Sequence, residues 1–118
     1  MISLIARCRV GLALYRQTRA YEKVEFSTKV LEYARVGTPV IAGPYPAVIK
    51  RFVVDNQIGN VVDAEHPATI AASIFDILDD RDRWVQYSKQ SMAIARHYSW
   101  ETESAKLIKL YDRISVEE

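Results

Sequence analysis

Residues 26–42 read FSTKVLEYARVGTPVIA, and the architecture can be worked out from this stretch. Ser27 and Thr28 carry side-chain oxygens suited to capping a helix, and Phe26 can pack on Leu31 as a hydrophobic staple. A short helix is therefore expected to run to about Val36. Gly37 stops it, because glycine tolerates the left-handed backbone that ends helices. Pro39 suits the first position of a strand, where a missing N–H costs least. The unbroken apolar run Val40, Ile41, Ala42 then reads as a strand buried on both faces of a parallel sheet. The unit is a helix feeding an α/β sheet. Its polar interest lies at the helix opening, where unpaired N–H groups attract anions and Glu32 follows about 6 Å along the axis.

The chain has 118 residues, which favours one domain near the lower limit for an α/β layer structure. With 49% hydrophobic and 26% charged residues it reads as a folded globular chain rather than a disordered one. A net charge of +1 gives no general attraction to polyanions, so no nucleic-acid partner is expected. Cys8 is the only cysteine, which excludes an intrachain disulfide and points to a reducing cytoplasm; its flanks, residues 6–10, read as packing. No apolar run of about 18 residues occurs, so no transmembrane segment is expected. Arg7 and Arg9 interrupt the apolar opening MISLIARCRVGLALY and argue against a signal peptide.

Outward from the central stretch, a helix is expected over residues 2–8 and a strand over residues 11–15. A chain opening in the second half of a β-α-β pattern reads as cut from something larger. The connector that follows carries Arg16, Arg19 and Lys23 beside Tyr15 and Tyr21, and it leaves the C-terminal edge of its strand, where ligands of parallel sheets bind. Those cations can face a diphosphate; they can equally be solvated loop charges. Past the second strand, Gly43, Pro44, Tyr45 and Pro46 form a stiff loop at the same edge, with Tyr45 either a pocket wall or part of a rigid connector.

Residues 47–54 form a helix with Val48, Ile49, Phe52 and Val53 inward and Lys50 and Arg51 outward. Asn56, which tolerates left-handed geometry, ends it before a third strand over residues 59–62. Pro67 suits a first helical position, and Ile70, Ala71, Ile74, Phe75 and Leu78 recur as a buried stripe. Asp79 and Asp80 cap a helix over about 81–97, with Trp84, Val85, Ser88, Met92 and Ala95 as its inner face. Ser99 caps the last helix, whose apolar contacts come from Leu107, Ile108 and Tyr111. The fold expected is a partial Rossmann-like α/β domain of about three parallel strands, neighbours in chain order, with helices on both faces.

His66 and His97 lack partners at ligand spacing, so no metal site is expected. No glycine-rich phosphate fingerprint, nucleophile elbow or metalloprotease helix is present. Any nucleotide site must use a bare helix N-terminus.

The order FSTKVLEYARVGTPVIAG, VVDNQIGNVVD, AASIFDILDD and HYSWETESAKLIKLY resembles the latter part of the C-terminal, nucleotide-sugar-binding domain of retaining GT-B glycosyltransferases of the family 4 type, the glycosyl transferases group 1. The resemblance covers almost all of the chain and is specific by its order. It implies that Ser27, Thr28 and Lys29 face the diphosphate of a UDP- or GDP-sugar and that Glu32 holds its ribose. The bland alternative for Glu32 is a surface carboxylate paired with Lys29. The first glutamate of the family's pair falls at Val24 here, and Glu25 stands one residue late. Arg16, Arg19, Glu25 and Tyr45 remain candidates for the phosphate or the pocket wall.

In the resembled enzymes the leaving phosphate takes part in deprotonating the acceptor, so no further carboxylate pair, cofactor or metal is implied. The resemblance implies a role in transfer to a saccharide or lipid-linked acceptor, as in polysaccharide biosynthesis, in the cytoplasm or peripherally at the inner membrane in the complete enzyme. An N-terminal acceptor domain or a homodimer partner would complete the site, and the isolated chain is expected to be inactive. A non-catalytic interaction module or degenerate transferase fragment is the competing expectation.

Overall fold

A computed structural model describes residues 1–16 and 28–116. The elements among them are α1 (Ile2–Ile5), β1 (Gly11–Ala13), α2 (Thr28–Arg35), β2 (Val40–Ala42), α3 (Ala47–Asp55), β3 (Gly59–Val61), α4 (Pro67–Asp79), α5 (Arg81–His97) and α6 (Trp100–Val116). The three strands are parallel in the order β1-β2-β3. Gly11, Val40 and Gly59 stand in one row, Leu12, Ile41 and Asn60 in the next, and Ala13, Ala42 and Val61 in the last. This is an α/β fold consistent with a partial Rossmann-like domain.

Successive strand residues point to opposite faces, and both faces are covered. On one, Ala13, Val40 and Ala42 join Val30 of α2, Ile49 and Val53 of α3, and Ile58 in a core cluster with no solvent exposure. Ile41 points the other way and is equally buried. Asn60, in the Ile41 row, donates to Ser73 Oγ of α4 at 3.0 Å and accepts from the Tyr87 hydroxyl of α5 at 2.8 Å. Gly37 closes α2 with φ of +73°, and a Cβ there would stand 2.7 Å from Ser88 Oγ. Its place is fixed twice, by backbone conformation and by the approach of α5.

Several expectations are corrected. The first helix ends at Ile5, because Arg7 and Cys8 donate to the carbonyls of Leu4 and Ile5 three residues back and turn the chain; Cys8 is exposed, not packed. β1 stops at Ala13 and β3 at Val61. Asn56 stays right-handed, with its amide donating to Phe52 O at 2.8 Å, and Gln57 takes the positive φ of 53° instead.

The buried residues of α4 are Ser73 and Ile77, while Phe75 is 61% exposed and Leu78 is also exposed. Ser73 turns inward because Asn60 gives it a partner, which a count of apolar spacing does not register. In α5, Ser88 and Ser91 are the buried residues and Met92 is exposed; small side chains let α5 lie close on α2. Trp84 is held at its rim, with Nε1 donating to Arg9 O at 2.8 Å. No residue of α6 is buried, so Leu107, Ile108 and Tyr111 do not make the contacts expected of them.

Candidate functional site

In a parallel sheet a connecting helix runs back from the C-terminal edge of one strand to the start of the next. The N-terminus of α2 therefore lies at the edge of the sheet where ligands bind. The helix sorts its side chains by its period. Val30 and Ala34, four apart, enter the core. Lys29 and Tyr33 share the β1 flank: the Tyr33 hydroxyl donates to Leu12 O at 3.1 Å, and Lys29 Nζ lies 5.8 Å from the centre of the Tyr15 ring. Burial is the main cause pushing the Tyr33 phenol above its ordinary pKa, with Tyr15 second.

The remaining flank carries Thr28, Leu31, Glu32 and Arg35. It opens on a groove of about 370 Å³, which is also lined by Ile2 and by the junction between α5 and α6 at Tyr98, Ser99 and Trp100. Glu32 is half-buried, and no ion pair engages it among the described residues. Its expected neighbour Lys29 faces Tyr15 instead, so the surface pairing of the two is not formed.

The junction is built by local hydrogen bonds. Ser99 Oγ accepts from Thr102 N at 3.2 Å, and the Thr102 hydroxyl donates to Arg96 O at 3.1 Å. Tyr98 packs edge-on against Phe52, with ring centres 5.5 Å apart. These contacts set where α6 departs and leave Trp100, its first residue, beside α2.

At the C-terminal edge the strand ends converge. A Cβ on Gly43 would meet Ala64 Cβ at 3.3 Å and Tyr15 O at 3.8 Å, so only a bare backbone fits between them without crowding. Arg16 and Tyr45 are exposed at this edge and do not line the groove beside α2. Beyond β3, the Asp63 carboxylate accepts from Glu65 N at 2.9 Å and pairs with His66 Nδ1 at 2.7 Å. The hydrogen bond from Glu65 is the main cause holding Asp63 below its ordinary value, with His66 second.

The structure thus brings Thr28 and Glu32 together on one groove, turns Lys29 to the Tyr15 side, and leaves Arg16 and Tyr45 at the outer edge. Ser27, Arg19 and Glu25 lie outside the described residues. Among the described residues no group of three His, Cys, Asp or Glu side chains is placed to hold a metal ion, and no helix is long and apolar enough to cross a membrane. Sequence reasoning did not place Trp100, Tyr98 or Ile2 at the site. The one available signal was the aromatic pair around the Ser99 cap, which reads equally well as packing.

Residues 13–92 match the family described as glycosyl transferases group 1. Curated relatives include a D-inositol 3-phosphate glycosyltransferase of Corynebacterium efficiens, 28% identical over 79% of this chain and 22% of that protein. Another is a phosphatidyl-myo-inositol mannosyltransferase of Mycolicibacterium smegmatis, 26% identical over 76% of this chain and 23% of that protein. A D-inositol 3-phosphate glycosyltransferase of Thermobispora bispora is 31% identical over 73% of this chain and 20% of its own length. The chain spans under a quarter of the length of these relatives.

Proposed function

The chain belongs to the glycosyl transferases group 1 family, and we propose that it is the C-terminal, nucleotide-sugar-binding part of a GT-B glycosyltransferase, with the groove beside α2 as its donor site. The observation that carries this reading is Glu32, a half-buried carboxylate without an ion-pair partner among the described residues. It opens on a groove that starts at a helix N-terminus. An ionised carboxylate accepts from two donors at once, which matches the two hydroxyls of a ribose. Thr28, one turn earlier on the same flank, stands where the unpaired N–H groups and the helix dipole favour a diphosphate. Lys29 adds positive charge beside Tyr15, and Arg16, exposed at the C-terminal edge of the sheet, is a further cation of the proposal; Ser27, Arg19, Glu25 and Tyr45 stay candidates for the diphosphate or the pocket wall on the resemblance alone.

Transfer needs an acceptor hydroxyl to attack the anomeric carbon while the bond from that carbon to the diphosphate oxygen breaks. Negative charge then grows on the leaving nucleoside diphosphate, where the α2 N-terminus and Lys29 stabilise it. A second unit carrying the acceptor, held against this edge, supplies the orientation on which much of the rate depends. The donor is a UDP- or GDP-sugar. The relatives' names, which mention D-inositol 3-phosphate and phosphatidyl-myo-inositol, speak for a hydroxyl acceptor on a small polar or lipid-linked molecule; a place in the cytoplasm or at the inner membrane surface belongs to the proposal and rests on the resemblance alone.

Calorimetric titration of UDP and GDP into the wild-type chain and Glu32→Gln tests the reading. One of the two is expected to bind, and Glu32→Gln to weaken it by about 1–3 kcal/mol as a charge-assisted bond is lost, with the melting temperature unchanged. Equal affinities of wild type and variant would remove Glu32 from the site.

A further inference from the structure

The groove beside α2 contains an aromatic side chain that the donor reading leaves unused. The chain has two tryptophans. Trp84 is engaged on both counts open to an indole: its N–H donates to Arg9 O, and the Arg9 guanidinium lies 4.2 Å over its ring. Trp100 is 73% exposed, and among the described residues its indole makes neither a hydrogen bond nor a ring contact. Its backbone is nevertheless held, because Ser99 caps the helix that Trp100 begins. Trp100 and Glu32 open on the same groove.

We infer that Trp100 is the stacking platform for the donor's nucleobase, an inference that rests on the donor-site reading of Glu32. With the ribose hydroxyls on Glu32 and the diphosphate toward Thr28, the base leaves the sugar on the side away from the phosphate and crosses the groove to the indole. A flat apolar plane already exposed to water gains most from a flat partner, and its capped backbone limits the ordering that binding requires. Stacking of a base on an aromatic side chain typically strengthens binding by about 5- to 150-fold, and it uses the π face that every base has. Trp100 therefore supports a uridine or a guanosine nucleotide alike and does not choose between them.

The test uses the full 118-residue chain and two probes, the nucleotide of the pair UDP and GDP that wild type binds and the base-free ribose 5-phosphate, titrated into wild type, Trp100→Ala and Trp100→Phe. Trp100→Ala is expected to weaken that nucleotide about 10-fold or more and to leave ribose 5-phosphate unchanged, while Trp100→Phe stays within about threefold of wild type because it keeps an aromatic face. Nucleotide affinity unchanged in Trp100→Ala, or equal loss of both probes, would overturn the stacking role. Glu32→Gln, run alongside, is expected to weaken both probes. An indifferent Glu32→Gln would overturn the donor reading itself, whereas normal Glu32 dependence with an indifferent Trp100→Ala would overturn only the platform.

Discussion

Helix α2 is eight residues long and buries Val30 and Ala34 completely, whereas α6 is 17 residues long and buries none. Both have apolar residues at helical spacing, so the pattern alone does not separate them. What differs is support. Tertiary packing holds α2, because the core cluster and α5 close over it. Local devices mark α6: the Ser99 cap, Glu101 and Glu103 in its first turn, Arg113 in its last, and Lys106 Nζ at 2.9 Å from Glu103 Oε1. Helical periodicity shows which stripe would be buried and says nothing about whether anything meets it.

The sharpest way to break this comparison is to truncate one residue in each region. Ile49→Ala, in the cluster beneath α2, is expected to lower stability by about 2–5 kcal/mol, and Leu107→Ala, exposed on α6, to change it by less than about 0.5 kcal/mol. Denaturant unfolding followed by circular dichroism measures both. A Leu107→Ala loss comparable to that of Ile49→Ala would mean that α6 is packed.

A smaller effect sharpens the account of α6. Ser99→Ala removes the acceptor for Thr102 N and should cost about 1 kcal/mol of helix stability. Amide exchange should then speed up in the first turn of α6 and stay unchanged in α2. Uniform acceleration across both helices would show that the cap holds more than its own helix.

The smallest expected effect is electrostatic. Asp63 has its folded pKa depressed, so its contribution is present above the unfolded value, near 3.9, and is lost as pH falls through the lower folded value. Thermal melts between neutral and acid pH should show that Asp63→Asn removes a small part of the acid-side loss. A variant whose melting curve falls with acid as steeply as wild type would discount Asp63, with its bonds to Glu65 and His66, as a source of the acid-side loss.

Much of the packed region was legible because its signals are local. Gly37 ends α2, Pro39 opens the run into β2, and Asp80 and Ser99 both cap helices as their side chains suggest. The failures share one physical cause, a partner distant in sequence. Ser73 is buried because Asn60, 13 residues away, bonds it, and Ser88 is buried because Gly37 lets α5 approach. Phe75 and Leu107 are exposed although their spacing is right. At the candidate site, the helix starting at Thr28 was readable from helix chemistry, while the ribose role of Glu32 rests on resemblance and is a proposal. The turning of Lys29 to Tyr15 and the arrival of Trp100 on the groove that Glu32 lines depend on how whole elements pack.

The central claim is that the α2 groove is where a donor nucleotide binds. The most direct measurement is mapping of amide chemical shifts in the chain as UDP or GDP is added. The account predicts perturbations concentrated at residues 28–35 and 98–101, with the separate groove lined by Gln57 and Gln90 silent. Perturbations centred on Gln57 and Gln90, or none with either nucleotide at millimolar concentration, would contradict it.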